Sequence, residues 1–441
     1  MQTSTWSRRA AAALAVALLA AGCSTGGETP GDDAGTGTDA SVAPPDEPGG
    51  DPTPEGDPTG EADGRLALGY VLPESGPLAF LGPPQIAGID LAIEDINAAG
   101  GVLGEDVTLS AGDEAGDPVV ASQTAQRLVD EGVDAIVGAA SSGMSLALID
   151  GVTNAGVAQC SASNTSPTFT DYSDNGLYFR TAPSDALHGP VLARTIVDDG
   201  HRDVAILARA DDYGQGLMTA TRDALEQQGA SVVAAIVYDP EAASFTSEAT
   251  QVVNAGADAV ALISFAEGAE IITALIEAGA GPDDIGVYGA DGLRSNELAD
   301  LVDPTDPSVL EGMRGTAPAG DVSEDLVQRL RGSSELEDTS YAAHAYDCTV
   351  MLALAAVAAG SDAGRDLAAQ MVAISRDGTK CTSFRECKGL LERDEDVDYD
   401  GASGSVDLLP QGEPETGTYE VWTIDGEGDV RTDRTVEVGS D

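Results

Sequence analysis

The residues best placed to do chemistry gather in two hydroxyl-rich stretches, Ser141-Ser142-Gly143 and Ser161-Ala162-Ser163-Asn164-Thr165-Ser166. Each follows a short apolar run, Val133 to Ala140 in the first case and Val157 to Gln159 in the second, which predicts a loop at the carboxyl end of a buried strand. In an open α/β sheet, ligands bind outside those strand ends. The first stretch also opens a helix predicted over Met144 to Asn154. Together the two loops would offer hydroxyls, backbone N–H groups and a helix N-terminus to an anion such as a carboxylate. Helix caps and turns use the same residue types, so composition alone does not separate the two roles.

Patterns for covalent chemistry are missing. The sequence has no Gly-x-Ser-x-Gly elbow and no evident Ser, His and acid constellation. Gly214-Gln215-Gly216 opens a helix after a strand, but Thr219 holds the place of a third glycine. No Gly-Lys-Ser/Thr phosphate loop occurs either, so no nucleotide or other cofactor is expected. His188, His201 and His344 are scattered and the cysteine spacing is wrong for zinc, so no metal site is expected. His188 and His201 read as surface or capping residues.

The formal charge of −55 excludes nucleic acid as a plausible partner, since phosphate binding needs clustered Lys and Arg. Four cysteines remain once Cys23 is set aside, and in an exported protein an even count points to disulfides with three possible pairings. Cys381 and Cys387, close together in a polar stretch, are the expected bridge, which leaves Cys160 with Cys348.

The elements that must position these residues alternate along the chain. Residues 1–22 carry Arg8 and Arg9 and then an apolar run from Ala10 to Ala21, too short to span a bilayer and organised like an export signal. Cys23 after small residues resembles the lipid-bearing first residue of a mature bacterial lipoprotein, which implies a membrane-anchored protein on the outer face of the cell membrane. Ser24 to Asp63 hold seven prolines, nine glycines, eleven acids and no Lys or Arg, so 23–64 is expected to be a disordered tether. From Arg65 on, strand-like and helix-like stretches alternate in two βα series, the second beginning after Leu177 to Thr181. The fold class expected is α/β, with parallel sheets covered on both faces and two similar lobes. The helix over Val119 to Glu131 is expected to bury Val120, Thr124 and Leu128. Tyr341 to Ala359 reads as a long apolar helix, and Tyr419 to Ile424 with Val430 to Val438 as paired strands around a turn at 425–428.

One family resemblance runs through the whole body. The segments Pro73-Glu74-Ser75-Gly76-Pro77-Leu78-Ala79, Asp95-Ile96-Asn97-Ala98-Ala99-Gly100-Gly101 and Asp113-Glu114-Ala115-Gly116-Asp117-Pro118 resemble the leucine/isoleucine/valine-binding protein family, the type I periplasmic binding proteins of branched-chain amino acid ABC transporters. Phe179-Arg180-Thr181, Asp212-Tyr213-Gly214-Gln215-Gly216, Gly289-Ala290-Asp291-Gly292-Leu293 and Tyr341 to Asp347 continue the match in order. The resemblance implies a clamshell of two doubly wound lobes joined by a three-segment hinge, with crossovers near Thr181 to Ser184, Gly312 to Pro318 and Ser405 to Leu409. The first lobe would comprise 65–182 and 316–404, the second 183–315 and 405–441.

It also implies a non-enzymatic binder of an amino acid. Ser142 and Thr165 would hold the ligand carboxylate, while the Ser163 carbonyl, the Thr165 hydroxyl and Asp291 would hold the ammonium. Tyr213 and Phe265 would close over the ligand from the second lobe, and Phe80 and Leu81 would form a wall where related binders often carry a tyrosine. An aliphatic amino acid delivered to ABC permease subunits is the implied role. The same clamshell also serves sensors, and binders of amides or urea-like solutes belong to the family.

Overall fold

The computed structural model describes residues 62–319, 324–333, 336 and 338–439. The expected export signal, Cys23 and nearly all of the expected tether lie outside those residues.

The first sheet is built from β1 (Ala67–Val71), β2 (Thr108–Ser110), β3 (Ala135–Gly138), β4 (Ala158–Ser161) and β5 (Tyr178–Arg180) in the order β2-β1-β3-β4-β5, all parallel. Helices α1 (Gly82–Ala98), α2 (Pro118–Asp130) and α3 (Ser142–Asn154) make the crossovers. β1, β3 and β4 are buried almost throughout, as strands of a parallel sheet with both faces covered must be. The face that α2 buries is Ala121, Ala125, Leu128 and Val129, not the one carrying Val120 and Thr124; Val120 is exposed.

The second sheet follows with α4 (Asp185–Asp198), β6 (Asp203–Arg209), α5 (Asp212–Gln227), β7 (Ser231–Tyr238), α6 (Thr246–Ala255), β8 (Ala259–Ile263), α7 (Gly268–Ala278), β9 (Gly286–Gly289), α8 (Leu298–Val302) and β10 (Arg314–Pro318). The chain then returns to the first lobe through α9 (Glu324–Ser333), α10 (Ala342–Ala359), α11 (Gly364–Met371), β11 (Thr379–Cys381), α12 (Phe384–Leu391), β12 (Val397–Gly401) and β13 (Gly404–Ser405). It ends in β14 (Thr416–Ile424) and β15 (Val430–Gly439), an antiparallel pair on the edge of the second sheet, whose order is β15-β14-β10-β9-β8-β6-β7. Helix α10 is apolar all round because it is buried all round: every residue from Ala342 to Ala356 is inside the first core. Cys160 on β4 is bonded to Cys348 on α10, which ties that helix to the sheet, and Cys381 is bonded to Cys387.

Two of the expected lobe limits shift. All five residues of β10 lie in the second sheet, so the second crossover follows Pro318; the boundary drawn between 315 and 316 cuts a strand. Val406 and Leu408 pack in the first core and the Gly412 carbonyl accepts from the Arg180 N–H, so the third crossover falls at about 414–415 and not at Ser405 to Leu409. The reason is the same at both places. Backbone hydrogen bonds to distant segments decide which lobe owns each stretch, and the order of residues along the chain does not record them.

Candidate functional site

The loops after β3 and β4 face the second lobe. Gly138 has φ +122, and a Cβ there would stand 2.2 Å from the Val71 carbonyl oxygen, so only glycine lets the chain turn into this loop. Glu114 then holds the loop, its Oε2 accepting the Ala140 N–H at 2.8 Å. Asn164 links the two loops, donating from Nδ2 to the carbonyls of Ala139 and Ala140 and accepting from the Tyr178 hydroxyl. Arg180, almost fully buried at the end of β5, donates to the carbonyls of Asn164 and Ser166 at 3.2 and 2.8 Å and pairs with Glu413 beside the third crossover.

This scaffold brings the expected residues together. Ser142 is the first residue of α3, and its hydroxyl accepts the Ser166 N–H. The Ser163 hydroxyl donates to Gln85 and to the Ala140 carbonyl. The Thr165 carbonyl accepts the N–H of Asp185 from the second lobe at 2.7 Å. Opposite them, Asp291 follows β9 and takes hydroxyls on both oxygens, Tyr213 on Oδ1 and Tyr341 on Oδ2, each at 2.7 Å. Tyr213 stacks on Phe265 with centroids 5.3 Å apart, and the Arg209 guanidinium covers Phe265. Gly292 donates to the Tyr213 hydroxyl, and a Cβ there would meet the Phe265 ring, so this turn also needs glycine. Tyr341 reaches Asp291 from the first lobe, and Ser166 donates to the Asp212 carbonyl of the second, so the lobes close directly on each other.

Several residues of this cluster were not singled out from sequence. Asp185 is fully buried at the start of α4, and neither of its oxygens has an aligned hydrogen-bond partner among the described residues. The Thr165 hydroxyl is buried too and faces the Asp185 carboxylate from the first lobe without an aligned hydrogen bond. Burial pushes the Asp185 carboxyl up, and the charge of Asp291 adds to the shift. His188 is also fully buried, correcting its expected surface or capping role; its ring lies 3.5 Å from Asp185 and 3.7 Å from Asp291. The available signal was the spacing: Asp185 and His188 are three apart on one helix and therefore share a face. Tyr341 and Tyr419 complete the wall, with phenols held far above their usual range by burial, so they act as neutral donors.

A cavity of about 240 Å³ opens between the lobes, lined mainly by Pro77, Phe80, Phe265, Leu293, Leu298 and Leu301. Phe80 therefore lines a cleft wall. Leu81 does not line this cavity; it packs in an apolar cluster shared with Tyr213, Phe265 and Tyr341.

Buried hydroxyls, a helix N-terminus and two acids, Asp185 and Asp291, thus come together where the lobes meet. Comparison with known proteins agrees with that architecture. Residues 66–394 match the periplasmic binding protein family. A Leu/Ile/Val-binding protein homolog 2 from Brucella abortus is 29% identical over 309 residues, 69% of this chain and 82% of the relative. The chemotactic signal transduction system substrate-binding protein BasB of Halobacterium salinarum is 30% identical over 369 residues, 80% of this chain and 85% of the relative. Among solved structures, the branched-chain amino acid transporter substrate binding protein LivJ of Streptococcus pneumoniae, in complex with isoleucine, superposes with a TM-score of 0.71 at 21% identity, covering 85% of this chain and all of that one. A Rhodopseudomonas palustris solute binding protein in complex with benzoate superposes with a TM-score of 0.69 at 17% identity over 86% of this chain and 98% of the other. At these identities the structural likeness shows the fold.

Proposed function

The chain belongs to the periplasmic binding protein family, whose fold is that of extracytoplasmic solute-binding proteins, and on that premise we propose that it captures an α-amino acid between its lobes and delivers it to an ABC permease. The observation that carries this reading is the cluster of Asp185, Asp291 and the Thr165 hydroxyl, buried together and facing the loops that end in Ser142 and Ser163. A carboxylate left without an aligned partner in the interior is costly, and an ammonium donating to it removes the cost. The ligand carboxylate goes to the Ser142 and Thr165 side, where the start of α3 supplies N–H groups and a favourable dipole. The carbonyl of Ser163, the hydroxyl of Thr165 and the two acids receive the ammonium, and Tyr213 and Phe265 cover it. The side chain points into the apolar cavity at Phe80, Phe265 and Leu293, which supports an aliphatic amino acid such as leucine, isoleucine or valine.

Closure is selected by the ligand because residues of both lobes contact it only when they meet. Anchoring through a lipid on Cys23 belongs to the same proposal, and the mass of the mature N-terminal peptide tests it. A thermal-shift screen of the folded body against the amino acids, small amides, urea and benzoates tests the ligand, because a solute bound only by the native state raises the melting temperature. A rise with one aliphatic amino acid supports the proposal; a rise with benzoate alone, or with none, removes it. A second reading, sensing in place of uptake, is favoured by the likeness to BasB. Loss of leucine uptake on deleting the gene supports transport, and loss of a tactic response with uptake intact supports sensing.

A further inference from the structure

On the premise that the chain is a binder that closes on its solute, we propose that Arg294 is a latch outside the ligand cleft: held on the second lobe by Glu420, it grips Asp338 and Ser340 of the first lobe once the lobes meet, and so sets how long the solute is retained. Arg294 stands three residues after Asp291, and its Nη1 donates to the Asp338 carboxylate at 3.4 Å and to the Ser340 hydroxyl at 3.2 Å. Its Nε faces the Glu420 carboxylate on β14, and Glu420 is fixed in turn by the Thr432 hydroxyl at 2.6 Å. The guanidinium is therefore aimed by its own lobe before the other lobe arrives. Asp338 is prepared in the same way, its Oδ1 accepting the Ser340 N–H and hydroxyl at 2.8 and 2.7 Å.

That turn ends in Tyr341, whose backbone sits in the left-handed region at φ +58 and whose hydroxyl reaches Asp291. Such a φ is uncommon for a bulky residue and persists only where its surroundings hold it. The two segments thus meet at matched positions: Asp291 takes Tyr341, and Arg294, three residues on, takes Asp338, three residues back. Among the described residues, every other Arg or Lys ion pair joins groups of one lobe, except Arg376 with Glu415 at the third crossover. Arg294 does not line the apolar cavity at Phe80; with Asp338, Ser340, Tyr341, Glu420 and Thr432 it lines a separate polar pocket of about 300 Å³. The pair therefore forms without touching the solute and exists only in the closed state, so losing it speeds opening and leaves capture by the open state unchanged.

The test compares the wild type with Arg294→Gln, Asp338→Asn and the double variant. Asparagine keeps the Oδ1 that holds the Ser340 turn, glutamine keeps a donor, and both native side chains are 19% exposed, so folding is expected to survive; urea unfolding checks it. Spin labels on Val119→Cys in α2 and Val253→Cys in α6, both exposed, report the distance between lobes in the ligand-free mature chain, with Cys23→Ser so that only these thiols react. Each single substitution is expected to shift the distances away from the closed population and toward an open one, and the double variant to add little to either. The same distances in all four proteins, or additive effects of the two substitutions, overturn the inference. With the amino acid found in the thermal-shift screen, stopped-flow kinetics of the single variants should show release faster by roughly three- to fivefold, the range open to a partly exposed pair, with association unchanged. Raising salt should speed release from the wild type more than from the double variant, because screening weakens the pair. Unchanged release rates, or a loss of affinity carried by association alone, also overturn it. If no amino acid binds, the amino-acid proposal fails, while the interlobe distances still decide the latch.

Discussion

Replacing Asp291 with asparagine separates ligand binding from folding. The side chain is 7% exposed, and its two oxygens accept the hydroxyls of Tyr213 and Tyr341 at 2.7 Å each. Asparagine keeps the volume and one acceptor, and its amide can donate to the other hydroxyl, so the loss is chiefly the charge. Removing one partner of a buried, hydrogen-bonded charge pair costs about 2 to 5 kcal/mol, which is roughly a 30- to 4,000-fold loss of affinity. Asp185 remains to hold the ammonium, so a loss of about 100-fold, in the lower part of that range, is expected. Stability of the ligand-free protein should move the other way or stay level, because the charge of Asp291 is one of the causes that raise Asp185 and its removal relieves that repulsion. Calorimetry with the amino acid found in the thermal-shift screen measures the first effect, and urea unfolding without ligand measures the second. Affinity within about threefold of wild type would refute the assignment of Asp291, given that 1.4 kcal/mol is tenfold. A parallel fall in stability would mean that the residue is structural.

Three further outcomes follow from the scaffold. Arg180→Met leaves Glu413 without its buried partner and the Asn164 carbonyl without its side-chain donor, so a loss of about 3 to 5 kcal/mol in urea unfolding is expected, with weaker ligand binding through the slackened Thr165 loop; unchanged stability would show that the pair contributes little. Replacing both Cys160 and Cys348 with alanine opens a link between residues 188 apart and is expected to cost about 2 to 5 kcal/mol, read by the same assay; an unchanged midpoint contradicts it. Burial pushes Glu114 up to about 8, so the folded protein keeps a proton that the unfolded chain has lost. Its contribution is full below the ordinary value of 4.5 and is lost as pH rises to about 8, so Glu114→Gln should flatten the fall in stability across that window; an identical slope in both proteins counts against it.

Much of the scaffold could be read from local pattern. The hairpin of β14 and β15 closes around the expected turn, because turn residues and the strands flanking them are consecutive in the chain. The α10 helix was legible from its unbroken apolar run. The small elements between Gly364 and Ser405 were not, since short strands and helices of about two turns take their stability from neighbours and carry little periodicity of their own. The face of α2 also differs from the expected one, with Ala121, Ala125, Leu128 and Val129 buried and Val120 exposed.

The sequence by itself determined the two βα series, the absence of a phosphate loop and the hydroxyl loops at Ser142 and Thr165, because these depend on neighbours in the chain. Only the tertiary structure decided which sheet owns β10, and it alone turned His188 inward. It also set Asp185 beside Asp291, which stands 106 positions later, with the Thr165 hydroxyl of the other lobe against them. A buried charge cluster depends on contacts between distant segments, and whether a histidine on a helix meets solvent or two carboxylates is settled by what packs against that helix.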